Sequence, residues 1–474
     1  MSREITIQPV TRIEGHAKIT IKLDDRGQVD DALFHVTQFR GFEKFVEGRP
    51  LTEMPAITAR ICGICPVSHL MASAKACDDL LAVEIPPTAD KLRRLMNLAQ
   101  FVQSHALSFF HLSSPDLLLG MDSEPKTRNI FGLIKEHPER ATDGVKLRKF
   151  GQEIIRILGG KKIHPAWLVP GGVNKPLAAD ERQQILDMVP EAKDIIRRTV
   201  DFFKGIVDNY PDEVEHFANF PTMFAGLTTP DGGWEHYDGT MTFTDHQADV
   251  VASFEDPARY SAFIGEAVEP FSYLKSPYYL PLGYPQGIYR VGPLARVNLC
   301  NGFGTPEADA QLAEFRDRAG APASSSFHFH WARLLEIVHG VEKIEQLLNE
   351  DDILDEFVRA RARPNRWEGV GISEAPRGTL IHHYKIDRDG RMTWANLIIA
   401  TGHNNLAMNR GVKQVARQFI DGANVQEGML NRVEAVIRCF DPCLSCSTHA
   451  LGQMPLHIQL VDRKGTVVRE LQRD

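Results

Sequence analysis

Cysteine is scarce here. Seven are spread through 474 residues, an odd and sparse set that excludes a disulfide framework. No apolar run approaches the roughly 18 residues that a bilayer span needs, so no membrane anchor is expected. The stretch Met1 to Ile7 alternates polar and apolar and lacks the apolar core of a secretory signal. These two absences predict a soluble, cytoplasmic protein, although a chain exported with a signal-bearing partner would read the same. Basic charge is in deficit: 54 Lys and Arg against 62 Asp and Glu give a net charge of −8, which argues against nucleic acid as a partner. Repeats and low-complexity linkers are missing. So is a dinucleotide fingerprint: the glycine-rich spots Gly159-Gly160 and Gly171-Gly172 do not form Gly-x-Gly-x-x-Gly.

What is present is ordinary globular material, 43% hydrophobic and 24% charged, enough for a large core. The beginning reads as strands: Ile5 and Ile7 alternate, then Ile19, Ile21 and Leu23, a turn at Asp24–Gly27, and Val29 to Phe39. From Thr88, a candidate N-cap, Leu92, Leu95, Met96, Ala99, Val102, Ala106, Phe109 and Phe110 fall on one helical stripe. Further helices are predicted at Asp180 to Tyr210 (interrupted by Pro190), Glu307 to Arg318, Trp331 to Leu348 and Val412 to Phe419. Pro221 to Leu299 reads as loops and short strands, and Pro455 to Leu471 as strand, turn, strand.

Four cysteines form two Cys-x-x-Cys pairs, Cys62/Cys65 and Cys443/Cys446, one near each end of the chain. The spacing lets two sulfurs of one turn chelate one metal, with Gly63, Pro66 and Pro442 shaping the backbone. Soft thiolates favour zinc, iron–sulfur clusters, copper(I) or nickel. A structural zinc site stays open on spacing, although zinc ribbons usually separate their pairs by about 15–20 residues. A thioredoxin-like dithiol explains one pair but not both. If the pairs share a site they must meet in space, which argues for one integrated domain. Cys77, Cys300 and Cys439 read as small buried residues.

Around these pairs the residues become familiar. Arg60-Ile61-Cys62-Gly63-Ile64-Cys65 with His69, and Asp441-Pro442-Cys443-x-x-Cys446-x-x-His449, resemble the signature of nickel–iron hydrogenase large subunits. Pro9 to His16 is similar to that family's opening motif and Arg40-Gly41-Phe42-Glu43 to its second. His105 to Asp116, His164-Pro165 with Gly171-Gly172-Val173, and Glu374-Ala375-Pro376-Arg377-Gly378 match later ones in order. Gly41 to Val46 and Leu380 to Tyr384 look most like the cytoplasmic, bidirectional NAD-reducing class.

The resemblance implies an α-rich mixed α+β fold, a central bundle of long helices with a small N-terminal sheet. It implies a nickel–iron centre on four thiolates, with Cys62 and Cys443 terminal on nickel and Cys65 and Cys446 bridging to an iron that carries one CO and two cyanides. Cys443 would accept the proton of heterolytic hydrogen cleavage and Glu14 would relay it. Arg377, after Pro376, would place a fixed cation above the open position, held by Asp116 and Asp441. Thr401 would donate to a cyanide and His69 to a bridging sulfur. Glu43 and His449 resemble ligands of a magnesium site.

The same resemblance implies that residues 1–449 form the catalytic domain and that 450–474 are a maturation extension, removed by a dedicated protease after nickel-insertion chaperones have acted. Too few cysteines are left here for an iron–sulfur cluster, so electrons need a partner: a small iron–sulfur subunit, then flavin and iron–sulfur diaphorase subunits that bind NAD. No iron–sulfur, flavin or NAD site is expected in this chain. The rival readings are a deazaflavin-, NADP- or membrane-linked hydrogenase, a hydrogen sensor, and a structural zinc protein.

Overall fold

The computed structural model describes residues 3–449, 456–461 and 466–473. The opening alternation becomes a three-stranded antiparallel sheet of Arg3–Ile7, Ala17–Leu23 and Val29–Val36. Its register sets Ile5 against Ile21 and Ile7 against Ile19, so the apolar side chains share one face. At the turn Asp24 accepts the backbone N–H groups of Arg26 and Gln28 at 2.9 and 2.8 Å.

Long helices supply the centre. Pro87–Ala106 packs on Pro138–Gly159 and on Phe329–Leu348, and the last of these packs on Ala179–Val207. The predicted stripe is buried throughout, from Leu92 to Phe110. Thr88 is not the N-cap. The helix starts at Pro87 after Pro86, and the Thr88 hydroxyl donates to the carbonyl of Asp352 at 3.0 Å. After Ala106 the chain widens into a π-helical turn, Leu107–Ser113, before the short helix Ser114–Leu119. Pro190 does not interrupt its helix, which runs unbroken through Ala179–Val207. Pro190 is exposed, so water can meet the carbonyl it leaves without a donor, and buried residues on either side, Val189 and Ala192, keep the helix packed on the core.

A second antiparallel sheet, Glu368–Ala375, Gly378–Ile386 and Met392–Ile398, lies on helix Pro66–Leu81. Its first two strands are joined by the two residues Pro376 and Arg377. The segment expected to be loops and short strands carries a four-stranded mixed sheet, in which Tyr289–Arg290 runs parallel to Met223–Thr228. Helix Glu427–Phe440 leads to the second cysteine pair. Beyond it, Leu456–Val461 and Val467–Arg473 pair as the predicted hairpin; its expected turn residues Arg463 to Gly465 lie outside the described residues. Among the described residues no helix is long and apolar enough to cross a membrane.

Candidate metal centre

The two cysteine pairs meet. The Sγ atoms of Cys62, Cys65, Cys443 and Cys446 all lie within 4.8 Å of one another and are buried. Two thiolates on one metal, each about 2.3 Å from it, stand at most about 4.6 Å apart, and the separations of 3.4 and 3.5 Å between the two pairs lie inside that reach, so the donor set fits a shared soft metal centre. Cys62 to Cys443 is 3.4 Å, Cys65 to Cys446 is 3.5 Å, and Cys443 to Cys446 is 2.8 Å.

Local structure explains how each sulfur arrives there. Cys62 ends a short turn, Ala59–Ile61, and its sulfur accepts the N–H of Ile64 at 3.2 Å. Cys65 is the N-cap of helix Pro66–Leu81, whose positive end favours a thiolate. Gly63, expected to permit a tight bend, does not have a left-handed backbone, and a Cβ there would meet open space. The tight approach is elsewhere. Gly15 has φ +92°, and a Cβ on it would come within 2.7 Å of the Leu444 Cβ. That contact lets the opening segment lie against the second pair: Glu14 and Cys443 form a parallel bridge, and the Leu444 N–H reaches the Glu14 carbonyl at 3.1 Å.

Glu14 therefore belongs to the site. Its Oε2 lies 3.1 Å from the Cys443 sulfur and 3.1 Å from the Ser445 N–H, and Ser445 Oγ donates to Oε1. Sequence reasoning missed Ser445, which had no signal beyond its place between the two cysteines. Hydrogen bonds from the sulfurs of Cys443, Cys446 and Cys65 lower the Cys62 pKa, whereas burial raises that of Cys443.

Arg377 reaches the cluster from its hairpin. Its Nε donates to the Asp441 carbonyl at 2.6 Å, Nη2 to Asp441 Oδ1 at 3.1 Å, and Nη1 to Ser104 Oγ at 3.1 Å. Burial disfavours its charge, but Asp441 and the thiols of Cys443, Cys65 and Cys62 outweigh that and raise its pKa. Burial raises the pKa of Asp441, against the pull of Arg377 and Arg333. Asp116 does not hold Arg377, contrary to expectation. Its oxygens are taken by Arg12, by Arg438 Nε at 2.9 Å and by Asn431 Nδ2 at 3.1 Å. It sits beyond the π-helical turn, facing the opening segment, and so anchors the arginine two residues before Glu14. Burial opposes the Asp116 charge, and Arg438 and Arg12 overcome it, lowering the pKa.

Thr401 Oγ1 accepts the Cys443 N–H at 2.9 Å, which leaves its own proton free for another acceptor. His69 was expected to bond a bridging sulfur. Its Nδ1 instead meets His382 Nε2 at 3.3 Å, and His382 continues to Tyr384 at 2.6 Å; no His69–sulfur bond occurs among the described residues. Strand Gly378–Ile386 packs on helix Pro66–Leu81, which brings the His382 imidazole within hydrogen-bond reach of His69. Burial lowers the His69 pKa to about 4, so its ring is neutral at pH 7.

Glu43 and His449 come together with Leu397 around a small, partly open pocket. Glu43 Oε1 accepts the Leu397 N–H at 2.9 Å, His449 Nδ1 accepts the Phe42 N–H at 3.3 Å, and the buried His449 Nε2 has no hydrogen-bond partner among the described residues. An orphaned imidazole nitrogen beside a carboxylate fits a cation ligand pair. Burial raises the Glu43 pKa to about 6. Cys77, Cys300 and Cys439 are buried outside this cluster, as small core residues.

Comparison with known proteins agrees with this geometry. Residues 40–122 and 235–449 match the nickel-dependent hydrogenase family, and residues 4–39 match a HoxL-like family. The chain belongs to the nickel-dependent hydrogenases: it is a hydrogenase subunit with the cysteines of the nickel–iron site in place. Over the full length of both chains it is 43% identical to the NAD-reducing hydrogenase HoxS subunit beta of Cupriavidus necator. It is 41% identical to one chain of the F420-non-reducing hydrogenase of Methanothermobacter thermautotrophicus, across 99% of this chain and 100% of that one. Among solved structures, an NAD+-reducing [NiFe]-hydrogenase in the H2-reduced state superposes with a TM-score of 0.92 at 44% identity, covering 94% of this chain and 99% of the other. The [NiFeSe] hydrogenase of Desulfovibrio vulgaris Hildenborough follows with a TM-score of 0.78 at 25% identity, over 95% and 100%. The α-rich mixed fold is that of the hydrogenase large subunits.

Proposed function

We propose that this chain is the catalytic subunit of a cytoplasmic, NAD-linked hydrogenase catalysing H2 + NAD+ = H+ + NADH. The carrying observation is the buried four-thiolate cluster with Arg377 beside it and Glu14 in contact with Cys443. Cys62, Cys65, Cys443 and Cys446 would hold the nickel–iron group. When bound, that group supplies heterolytic cleavage of hydrogen. The chain's own residues then handle the proton. It leaves from Cys443 Sγ to Glu14 Oε2, 3.1 Å away, while Ser445 fixes the carboxylate through its N–H and hydroxyl. Arg377 stands beside the thiolates as a cation whose orientation Asp441 sets. Thr401 has a hydroxyl proton to offer a cyanide nitrogen.

Electrons would leave through a small iron–sulfur subunit, on their way to NAD held by flavin-bearing partners. Similarity to an NAD-reducing enzyme along the whole chain supports that acceptor. Glu43 and His449 would hold magnesium. The match to the family model ends at 449, which supports cleavage there and a mature domain of residues 1–449.

The first test is elemental mass spectrometry on the anaerobically purified complex. Stoichiometric nickel with iron and little zinc is expected, and zinc without nickel would overturn the reading. Hydrogen-dependent NAD+ reduction by the complex, absent from the isolated chain, tests the acceptor. Intact mass tests the tail: active protein should end at His449, and a competent full-length chain would refute cleavage.

A further inference from the structure

Arg377 projects from a two-residue turn, and a two-residue turn is a poor platform unless its backbone is held. The structure holds it with a second buried arginine. Arg296, on helix Pro293–Leu299, donates from Nη1 to the Ala375 carbonyl and from Nη2 to the Pro376 carbonyl, both at 3.1 Å. Its other donors go to carboxylates: Nε to Glu336 Oε1 at 2.6 Å, Nη2 to Glu336 Oε2 at 2.7 Å, and Nη1 to Glu374 Oε2 at 2.6 Å. All five guanidinium donors are used.

The carboxylates are fixed in turn. Glu336 accepts Trp234 Nε1 at 3.0 Å and meets His105 Nε2 at 2.8 Å. Glu374 accepts the Thr379 hydroxyl at 2.7 Å and the Leu227 N–H at 3.2 Å. Arg296, Glu336, Glu374 and His105 are all buried. Removing water from so many charges is expensive, and apolar residues would fill the space at least as stably. What apolar residues cannot do is dictate where two consecutive carbonyls stand. Neither Arg296 nor Glu336 is among the groups that contact the thiolates.

We infer that Arg296, locked by Glu336 and Glu374, is a positioning residue that sets the placement of the Arg377 guanidinium over the thiolate cluster. The inference rests on the proposed nickel–iron reading. Glu336→Gln keeps the shape but weakens the fork that aligns Arg296. Arg296→Lys keeps the charge and cannot hold two carbonyls and two carboxylates at once. Each variant is purified as the complex, and nickel content, hydrogen turnover and the infrared bands of the carbon monoxide and cyanides expected on iron are measured.

The expected result is nickel at the wild-type level, shifted infrared bands, and turnover at least about 10-fold lower, with Glu336→Gln the milder of the two. Unshifted bands with normal turnover in both variants overturn the inference. So does loss of nickel or of soluble complex in both, because that is the signature of a purely structural scaffold. A wild-type complex without nickel instead fails the proposed function and leaves these variants with no bands to compare, so the two failures are told apart.

Discussion

At the scale of single residues, the proposed proton route separates the group that would carry the proton from the groups that would aim it. Glu14 is the only carboxylate hydrogen-bonded to a cluster sulfur among the described residues, through Cys443. Glu14→Gln keeps the volume and still accepts from Ser445, but it cannot shuttle a proton. Turnover should fall by about 10²-fold or more, within the ~10²–10⁴-fold span of general acid–base catalysis, while nickel content stays unchanged. Turnover within a factor of two of wild type would remove Glu14 from the proton route. Much of this was legible in the sequence, because Glu14, Arg377 and the four cysteines each sit in short motifs whose neighbours fix their backbone. Arg296, Glu336 and Ser445 were not, because their roles come from which residue stands opposite across a buried contact, and a linear reading carries no such information. Asp116 shows the same limit: its motif marked it as important, but Arg12 and Arg438, not Arg377, decide what it does.

At the scale of elements, the placement of Cys65 depends on how closely helix Pro66–Leu81 lies on strand Glu368–Ala375. A Cβ on Gly371 would stand 2.1 Å from the Ala72 carbonyl oxygen and 2.5 Å from the Ala76 N, both backbone atoms that cannot swing aside. Gly371→Ala should therefore push the helix off the sheet, cost about 1–3 kcal/mol in stability and lower nickel occupancy. Gly63→Ala, between the first two cysteines, meets open space and should leave the stability of the chain alone. Thermal unfolding with nickel analysis of both variants checks the pair, and equal behaviour would refute the assignment. The long periodic helices were readable because their apolar stripes face one core. The strands Glu368–Ala375 and Gly378–Ile386 were not, since they are buried along nearly their whole length and show no alternation.

At the scale of the molecule, the site exists only when the two ends of the chain are brought together. The Thr11 N–H donates to Glu434 at 2.6 Å, and the Arg40 N–H donates to the Thr448 carbonyl at 2.9 Å, so the metal ligands share the cooperativity of the whole fold. That fold encloses many neutral imidazoles. Burial lowers the pKa of His105 and His328 to about 4, and of His330, His339 and His403 to about 3. Their unfolded value is near 6.5, so as pH falls the unfolded chain takes up their protons first. Stability is complete above about pH 6.5 and drains away between there and the folded values. Each histidine contributes up to about 1.4 kcal/mol per pH unit, so several acting together would exhaust a stability of about 5–15 kcal/mol within a unit or two. The carboxylate of Glu336 adds a lower window: burial opposes its charge, Arg296 overrides that, and its pKa falls to about 2. The melting temperature of the complex should hold from pH 8 to 7 and drop steeply by pH 5, with His339→Asn flattening the slope by about one proton. An unchanged melting temperature at pH 5 would mean that these imidazoles charge inside the folded protein, and would require water to reach a core that the packing closes.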